Sequence, residues 1–289
     1  MSSTLWRRRS VLVFFLIGFG IPWLGWTSLA LSGLKLPSPA ARALFYTGDF
    51  MTIAGFVATF VAAGASGFKS LLRRYFQMPA AVPWALFAWF LPCVWVGSAT
   101  IVYGLTHGGI GRIDPAGLLR YFAPGVLLRF TTGPLGEEAG WRGFLLPRLL
   151  RHYSPLGASL ILGLIWSVWH YALYYNTVFG RGDSAARFTL MVLCLSLLHT
   201  VLWAFTRGSV FWAIILHQGG NVTSSVVSAV FPEIHVPDGA TAWLEAAITV
   251  GVTIATVLLV GRGRLKQKLG EVLDGLGAEA IESDRGRSS

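Results

Sequence analysis

The chain has 289 residues, of which 54% are hydrophobic and 12% are charged, and its formal net charge is +10. Its mean hydropathy of +0.61 lies far outside the range of soluble proteins and excludes an ordinary water-soluble enzyme. We therefore predict an all-α, polytopic integral membrane protein.

Eight apolar stretches are long enough to cross a bilayer, which takes about 20 residues. In chain order they cover residues 10–31, 42–65, 83–106, 117–136, 156–179, 187–206, 209–230 and 241–261. The first is too long for the apolar region of a signal peptide, so we interpret it as a retained helix. The chain then divides into a basic N-terminus (1–9), a membrane domain (10–262) and a charged, partly disordered tail (263–289).

Lys and Arg are concentrated in alternate loops and at the two termini. The richer group comprises Arg7–Arg9, Lys69, Arg73, Arg74, Arg148, Arg151, Arg207, Arg262, Arg264, Lys266 and Lys268. By the positive-inside rule, both termini are predicted to be cytoplasmic in a bacterial or archaeal cell membrane. The charge is explained by topology and by contact with anionic lipid, and no nucleic-acid partner is expected. Residues 66–82 mix basic and apolar positions and form either an interfacial amphipathic helix or a plain basic loop.

The segment from Glu137 to Arg142 contains three charges within an apolar region. Such charges are costly near a bilayer, so they need partners and usually have a function. On a helix, Glu138 and Arg142 are four residues apart and can pair, whereas Glu137 points about 100° away from Glu138. We predict that Arg142 holds Glu138, and that Glu137 stays unpaired, faces a cavity and acts as the general base.

Later apolar segments carry three histidines. His170 follows Trp166 by four residues and is either a hydrogen-bonded packing residue or a functional ligand. His217 and Asn221 are also four apart, and the two glycines between them allow close backbone approach. Both side chains can therefore address one point, and both need partners inside an apolar span. His199 is predicted to make a buried hydrogen bond.

Glu137, His170, His217 and Asn221 together supply a carboxylate, two imidazoles and an amide from three segments, although the HExxH pattern is absent. Two mechanisms stay open at this point. A divalent metal, most simply zinc, binds Glu137, His170 and His217 and leaves one position for water. Alternatively, no metal takes part: Glu137 and His170 activate water, while His217 and Asn221 donate hydrogen bonds to the oxyanion.

The order E-E-x-x-x-R, aromatic-x-x-x-H and H-x-x-x-N on an apolar chain resembles the CAAX-protease and bacteriocin-processing family, also called CPBP or ABI. This family includes the Ras and a-factor converting endopeptidase. The resemblance covers residues 137–221, with Trp166 at a position where Phe is usual. It implies an eight-helix intramembrane peptidase fold, often metal-dependent, with a polar cavity open to the cytoplasm.

The resemblance also implies roles for individual residues. Glu137 would be the base with His170 beside it, and His217 with Asn221 would face the oxyanion or the metal. Glu138 with Arg142 would give structural support, and Trp166 would form an aromatic wall.

We therefore predict a membrane-embedded endopeptidase that hydrolyses a peptide bond near the cytoplasmic membrane surface. Its partners would be the lipid bilayer and a membrane-associated or lipidated peptide substrate. The alternative is a non-catalytic binding protein, such as an immunity or scaffold factor, that uses the same pocket. A proton-coupled transporter is disfavoured because the polar residues cluster in one place and no inverted repeat is visible.

Overall fold

The computed structural model describes residues 3–36, 38–120, 133–176, 184–237 and 239–285, and these residues form helices and connecting turns without a strand. Six helical stretches among them are long and apolar enough to cross a membrane. They are Arg9–Ser32, Pro39–Phe76, Val82–Thr106, Pro155–Leu173, Ala185–Phe205 and Ala242–Val260. The predicted all-α, polytopic membrane fold is thereby confirmed.

The predicted count of eight spans is not confirmed. Residues 121–132, the centre of the predicted span 117–136, lie outside the described residues. The predicted span 209–230 does form a helix, Val210–Val230, but its polar side chains make it less apolar than the six above. His217, Gln218 and Asn221 account for much of this difference, because they interrupt the apolar run near its centre.

We number the α-helices of the described residues in chain order. They are α1 Ser3–Phe15, α2 Ile21–Ser32, α3 Pro39–Phe45, α4 Phe50–Phe76, α5 Val82–Thr106, α6 Gly117–Arg120, α7 Pro134–Glu138, α8 Leu146–Leu149, α9 Pro155–Asn176, α10 Ala185–Phe205, α11 Val210–Val230, α12 Ala242–Val260 and α13 Arg262–Arg285. π-helical turns at Leu16–Gly20 and Ala139–Leu145 join α1 to α2 and α7 to α8. A 3₁₀ turn, Tyr46–Asp49, leads into α4.

Helix α4 packs closely on the segment 134–149, which we call the motif segment because it carries the charged motif. Glycines permit the approach: a Cβ at Gly55 would lie 2.6 Å from the carbonyl oxygen of Ala139. A Cβ at Gly140 would likewise lie 2.6 Å from the carbonyl oxygen of Met51. Helices α9 and α11 cover other sides of the motif segment, so its charged side chains point into a helix-lined interior.

Helix α4 is broken at Gly64, which has φ 62° and ψ −157°, a backbone conformation that glycine adopts readily. The chain remains helical beyond this kink as far as Phe76. Most of the predicted amphipathic segment 66–82 is therefore helical, whereas residues 77–81 are not.

Six of the basic residues that were predicted to share one side of the membrane meet at one end of the molecule. Two cavities there are lined by Arg73, Arg74, Arg148, Arg151, Arg207 and Lys268. Helix α13 follows a left-handed Gly261 (φ 75°) and crosses this end. Its Leu265, Leu269 and Val272 are buried in the main core. We call this end of the molecule the basic end.

Candidate active site

The motif segment begins as α7 and continues as the π-helical turn Ala139–Leu145, a conformation that is frequent at functional sites. Within it, Nη1 of Arg142 donates to both carboxylate oxygens of Glu138, at 2.8 and 2.9 Å. Both side chains are fully buried. The predicted Glu138–Arg142 pair is therefore present, and the guanidinium also lies 4.4 Å from the ring centroid of Trp166.

Glu137 is only 4% exposed, and among the described residues it makes hydrogen bonds to neutral groups but no ion pair. Its Oε2 accepts hydrogen bonds from the indole nitrogens of Trp141 at 3.1 Å and Trp166 at 3.0 Å. Trp166 was expected to serve only as an aromatic wall, but its indole supplies an N–H that a phenylalanine lacks. Among the described residues, none donates a hydrogen bond to the second oxygen, Oε1.

His217 turns its Nδ1 toward Oε1 of Glu138, at 2.8 Å. Because a carboxylate oxygen accepts, we assign the proton to Nδ1, which leaves Nε2 for a substrate or water. Beside it, His199 has its Nδ1 2.7 Å from the Leu195 carbonyl oxygen and its Nε2 3.3 Å from that of Ala213. The prediction of a buried hydrogen bond for His199 is confirmed.

His170 lies half-buried one helical turn after Trp166 on α9. Its Nδ1 is 3.0 Å from the carbonyl oxygen of Trp166, so Nδ1 donates and Nε2 is left to accept. Its ring packs edge-on against Trp169 at 4.8 Å. His170 also lies within electrostatic range of Glu137, so α9 supplies both a donor to Glu137 and a nearby imidazole.

Gly133 marks the point where Glu137 and Asn221 face each other. A Cβ placed on Gly133 would lie 3.4 Å from Glu137 Oε1 and 3.6 Å from Asn221 Nδ2. The oxygen of Glu137 that lacks a described donor and the amide of Asn221 therefore border the same small space. Asn221 is exposed, which identifies the open side of the site.

Asp49, at the end of the 3₁₀ turn, is a site residue that the sequence analysis missed. Its Oδ1 accepts a hydrogen bond from the backbone N–H of Gly133 at 3.3 Å, and it lies within electrostatic range of Glu137. The sequence did carry a signal for it. Asp49 is an acidic residue inside the predicted span 42–65, and ionisable residues within spans usually have a function.

The three predicted metal ligands do not come together as a ligand set. Among the described residues, which include Glu137, His170 and His217, no group of three or more His, Cys, Asp or Glu side chains is placed to hold a metal ion. Each imidazole directs Nδ1 at a protein oxygen, and Glu137 directs one oxygen at two indoles. These contacts leave Nε2 of both histidines and Oε1 of Glu137 available, and an Nδ1–H directed at a protein oxygen is the usual contact of a metal-ligating histidine. The metal requirement therefore stays a prediction for experiment.

Comparison with known proteins concerns the same part of the chain. Residues 120–223 match the family model described as Type II CAAX prenyl endopeptidase Rce1-like. A curated relative, CAAX prenyl protease 2 of Methanococcus maripaludis, is 30% identical over 99 residues. That alignment covers 32% of this chain and 36% of the relative, so the similarity spans about a third of each protein. The resemblance to CAAX proteases predicted from the motifs is confirmed.

Proposed function

We propose that this protein is an intramembrane endopeptidase of the CAAX-protease type, in which Glu137 activates the attacking water. The observation that carries the proposal is the asymmetric setting of the Glu137 carboxylate. Two indole N–H groups fix Oε2, while Oε1 borders the same space as the Asn221 amide. A base oriented in this way beside a hydrogen-bond donor is suited to hydrolysis of a carbonyl compound.

The first step is proton transfer from water to Oε1 of Glu137. The resulting hydroxide attacks the scissile carbonyl carbon, and the carbonyl π electrons move to the oxygen. Nε2 of His170 accepts a hydrogen bond from the same water and orients it, because Nδ1 of this ring already donates to Trp166.

The tetrahedral oxyanion then needs donors that point at the developing charge. Asn221 supplies Nδ2–H. His217 supplies Nε2–H only as the imidazolium, because its Nδ1–H is directed at Glu138. The carboxylate of Glu138 stabilises that cation. When the intermediate collapses, the C–N bond breaks and protonated Glu137 returns its proton to the leaving amine.

Glu138 is assigned a supporting role rather than that of the base. Both of its oxygens accept from Arg142, one also faces His217, and the side chain is fully buried. A carboxylate with both oxygens engaged and no exposed surface is poorly placed to bind the attacking water. Its contribution is to fix the orientation of His217, as the carboxylate of a catalytic triad fixes its histidine.

The depth of the site limits the kind of substrate. From the rise of an α-helix, His217 lies about 10 Å along α11 from Val210, and His170 about 22 Å along α9 from Pro155. Both helices start near the basic end, so the scissile bond must enter the bilayer to reach these groups. A prenylated or otherwise hydrophobic C-terminal segment meets this requirement, and we propose such a peptide as substrate.

The test uses purified protein in nanodiscs and two peptides that end in a CAAX sequence, one prenylated and one not. Mass spectrometry should detect cleavage of the prenylated peptide by the parent protein and none by Glu137→Gln. Glu233→Gln, the same change at an exposed carboxylate outside the site, should cleave normally. Cleavage by Glu137→Gln at the parent rate would refute the assignment of the base. Binding of the peptide without cleavage by the parent would favour the non-catalytic alternative.

A further inference from the structure

A separate cavity of about 1120 Å³ lies at the basic end. None of the site residues described above lines it. Its charged lining consists of Arg73, Arg74, Arg207, Lys268 and Glu271. Glu271 pairs with Lys268, with 2.6 Å between Oε2 and Nζ, so cationic side chains outnumber carboxylates around this cavity. The surplus of positive charge makes an anion the favoured ligand.

The turn that carries Arg207 is held firmly in place. Arg207 has φ 54°, a left-handed conformation that residues other than glycine rarely adopt. The next residue, Gly208, is also left-handed. Gln77 anchors the turn from the other side of the cavity: its Nε2 donates to the Arg207 carbonyl oxygen at 3.4 Å, and its own carbonyl oxygen accepts from Ser209 Oγ at 2.7 Å. The guanidinium of Arg207 is therefore attached to a fixed backbone at the cavity wall.

The remaining cavity wall is apolar. Trp84 and Phe205 stack with ring centroids 4.3 Å apart, and both line the cavity. Met78 also lines it and is 61% exposed, and the adjoining Val82 is 70% exposed. A purely ionic ligand would leave this apolar surface uncovered. An amphiphile with an anionic head and hydrocarbon chains would cover it.

We propose that this cavity binds an anionic phospholipid, with the phosphate group among Arg73, Arg207 and Lys268 and an acyl chain along Trp84 and Phe205. The positive-inside rule explains basic residues in loops, but it does not require them to converge on one cavity with aromatic walls. On the same helix as Lys268, Arg262 and Lys266 are exposed and do not line the cavity. These two residues represent the basic surface that topology alone explains.

The site would also be linked to the motif segment. Arg74 lines the cavity and donates from Nη2 to the carbonyl oxygen of Gly143, at 3.2 Å. Gly143 directly follows Arg142 in the π-helical turn. Lipid bound in the cavity should therefore raise the thermal stability of the part of the protein that contains the Glu138–Arg142 pair.

The test compares two double variants of the full chain that lose the same charge. Arg207→Gln/Lys268→Gln removes two cations from the cavity, and Arg262→Gln/Lys266→Gln removes two from the surrounding surface. Each protein is delipidated in neutral detergent and titrated with phosphatidylglycerol or phosphatidylcholine, with bound lipid counted by native mass spectrometry. The parent and the surface variant should bind phosphatidylglycerol in preference to phosphatidylcholine. The cavity variant should bind phosphatidylglycerol about tenfold or more weakly, because charge-assisted contacts to phosphate are lost.

Three results would overturn the proposal. The first is an equal loss of binding in both variants, which would mean that general surface charge attracts the lipid. The second is no preference of the parent for phosphatidylglycerol. The third concerns thermal melts of the parent protein with each ligand. If inorganic phosphate alone raises Tm as much as phosphatidylglycerol does, the cavity would be assigned to a soluble phosphate compound. A variant is compared only if it elutes as a single folded species on size-exclusion chromatography. The lipid readout does not depend on peptidase activity, so this proposal and the proposed function fail independently.

Discussion

Replacing Glu138 with glutamine tests the division of roles between the two adjacent glutamates. The amide retains the size of the carboxylate and one acceptor oxygen, but it carries no charge. Arg142 is fully buried, and its Nε and Nη2 have no hydrogen-bond partner among the described residues. No other described acceptor hydrogen-bonds its guanidinium, so Glu138→Gln leaves a buried cation compensated only by the ring of Trp166 and the charge of Glu137.

The expected cost follows from this geometry. Breaking a buried ion pair by removing one partner typically destabilises a protein by about 3–5 kcal/mol. For a chain of this size, about 1 kcal/mol corresponds to roughly 2–4 °C in Tm, so Glu138→Gln should lower Tm by on the order of 10 °C. Glu137→Gln should lower it far less, because its amide oxygen still accepts from Trp141 and Trp166 and no cation loses its partner.

The assay is a thermal melt of purified protein in one detergent, monitored by tryptophan fluorescence, with peptide cleavage measured in parallel. Glu138→Gln should lose stability and activity together, whereas Glu137→Gln should lose activity alone. Replacing both members of the pair by apolar residues, in Glu138→Leu/Arg142→Met, should recover much of the lost Tm, since no charge is left unpaired. Equal melting temperatures for the two glutamine variants would refute the reasoning.

Four further outcomes are expected. Asp49→Asn should retain most activity, because its amide oxygen still accepts from the Gly133 N–H. Asp49→Ala removes that acceptor and should lower kcat more than it changes KM. Equal effects of the two substitutions on activity would contradict a positioning role for Asp49. Gly133→Ala should abolish cleavage because Gly133 has φ 80°, while Gly220→Ala, where a Cβ meets open space, should not. Active protein should contain well under one equivalent of transition metal and should tolerate a chelator; restoration by zinc after chelation would show that a metal is required. Reporter fusions at residues 72 and 289 should both read cytoplasmic, and a periplasmic signal at either would contradict the predicted topology.

Features that depend on nearby residues could be predicted from the sequence. The long apolar runs predict six described spans because crossing a bilayer requires a minimum length. The Glu138–Arg142 pair follows from the four-residue spacing, which keeps both side chains on one face even though the turn is π-helical. The span predicted for 209–230 is helical but more polar than the others, because one helix both crosses the bundle and presents His217 and Asn221.

Features that depend on packing between distant segments could not be predicted. Trp166 lies 29 residues from Glu137, and its donation becomes visible only when α9 packs on the motif segment. Asp49 lies 84 residues before Gly133, so its contact with that backbone N–H depends on where α4 begins in space. The orientation of the imidazoles of His170 and His217 also depends on packing, because their Nδ1 partners are Trp166 and Glu138. Spacing indicates the face on which an imidazole lies, but the protein group that one ring nitrogen contacts decides which nitrogen is left to act.

The two glutamates differ in the kind of partner that each has acquired. Glu138 is bound by a guanidinium and faces an imidazole, so its negative charge is needed to balance the positive charge of Arg142. Glu137 is bound by two neutral indole N–H groups. These donors fix its orientation without requiring that it stay ionised, so this carboxyl group can take up and release a proton during turnover without leaving a buried cation unpaired. A permanent ionic partner would hinder that exchange, and this is the physical reason for assigning catalysis to Glu137 and support to Glu138.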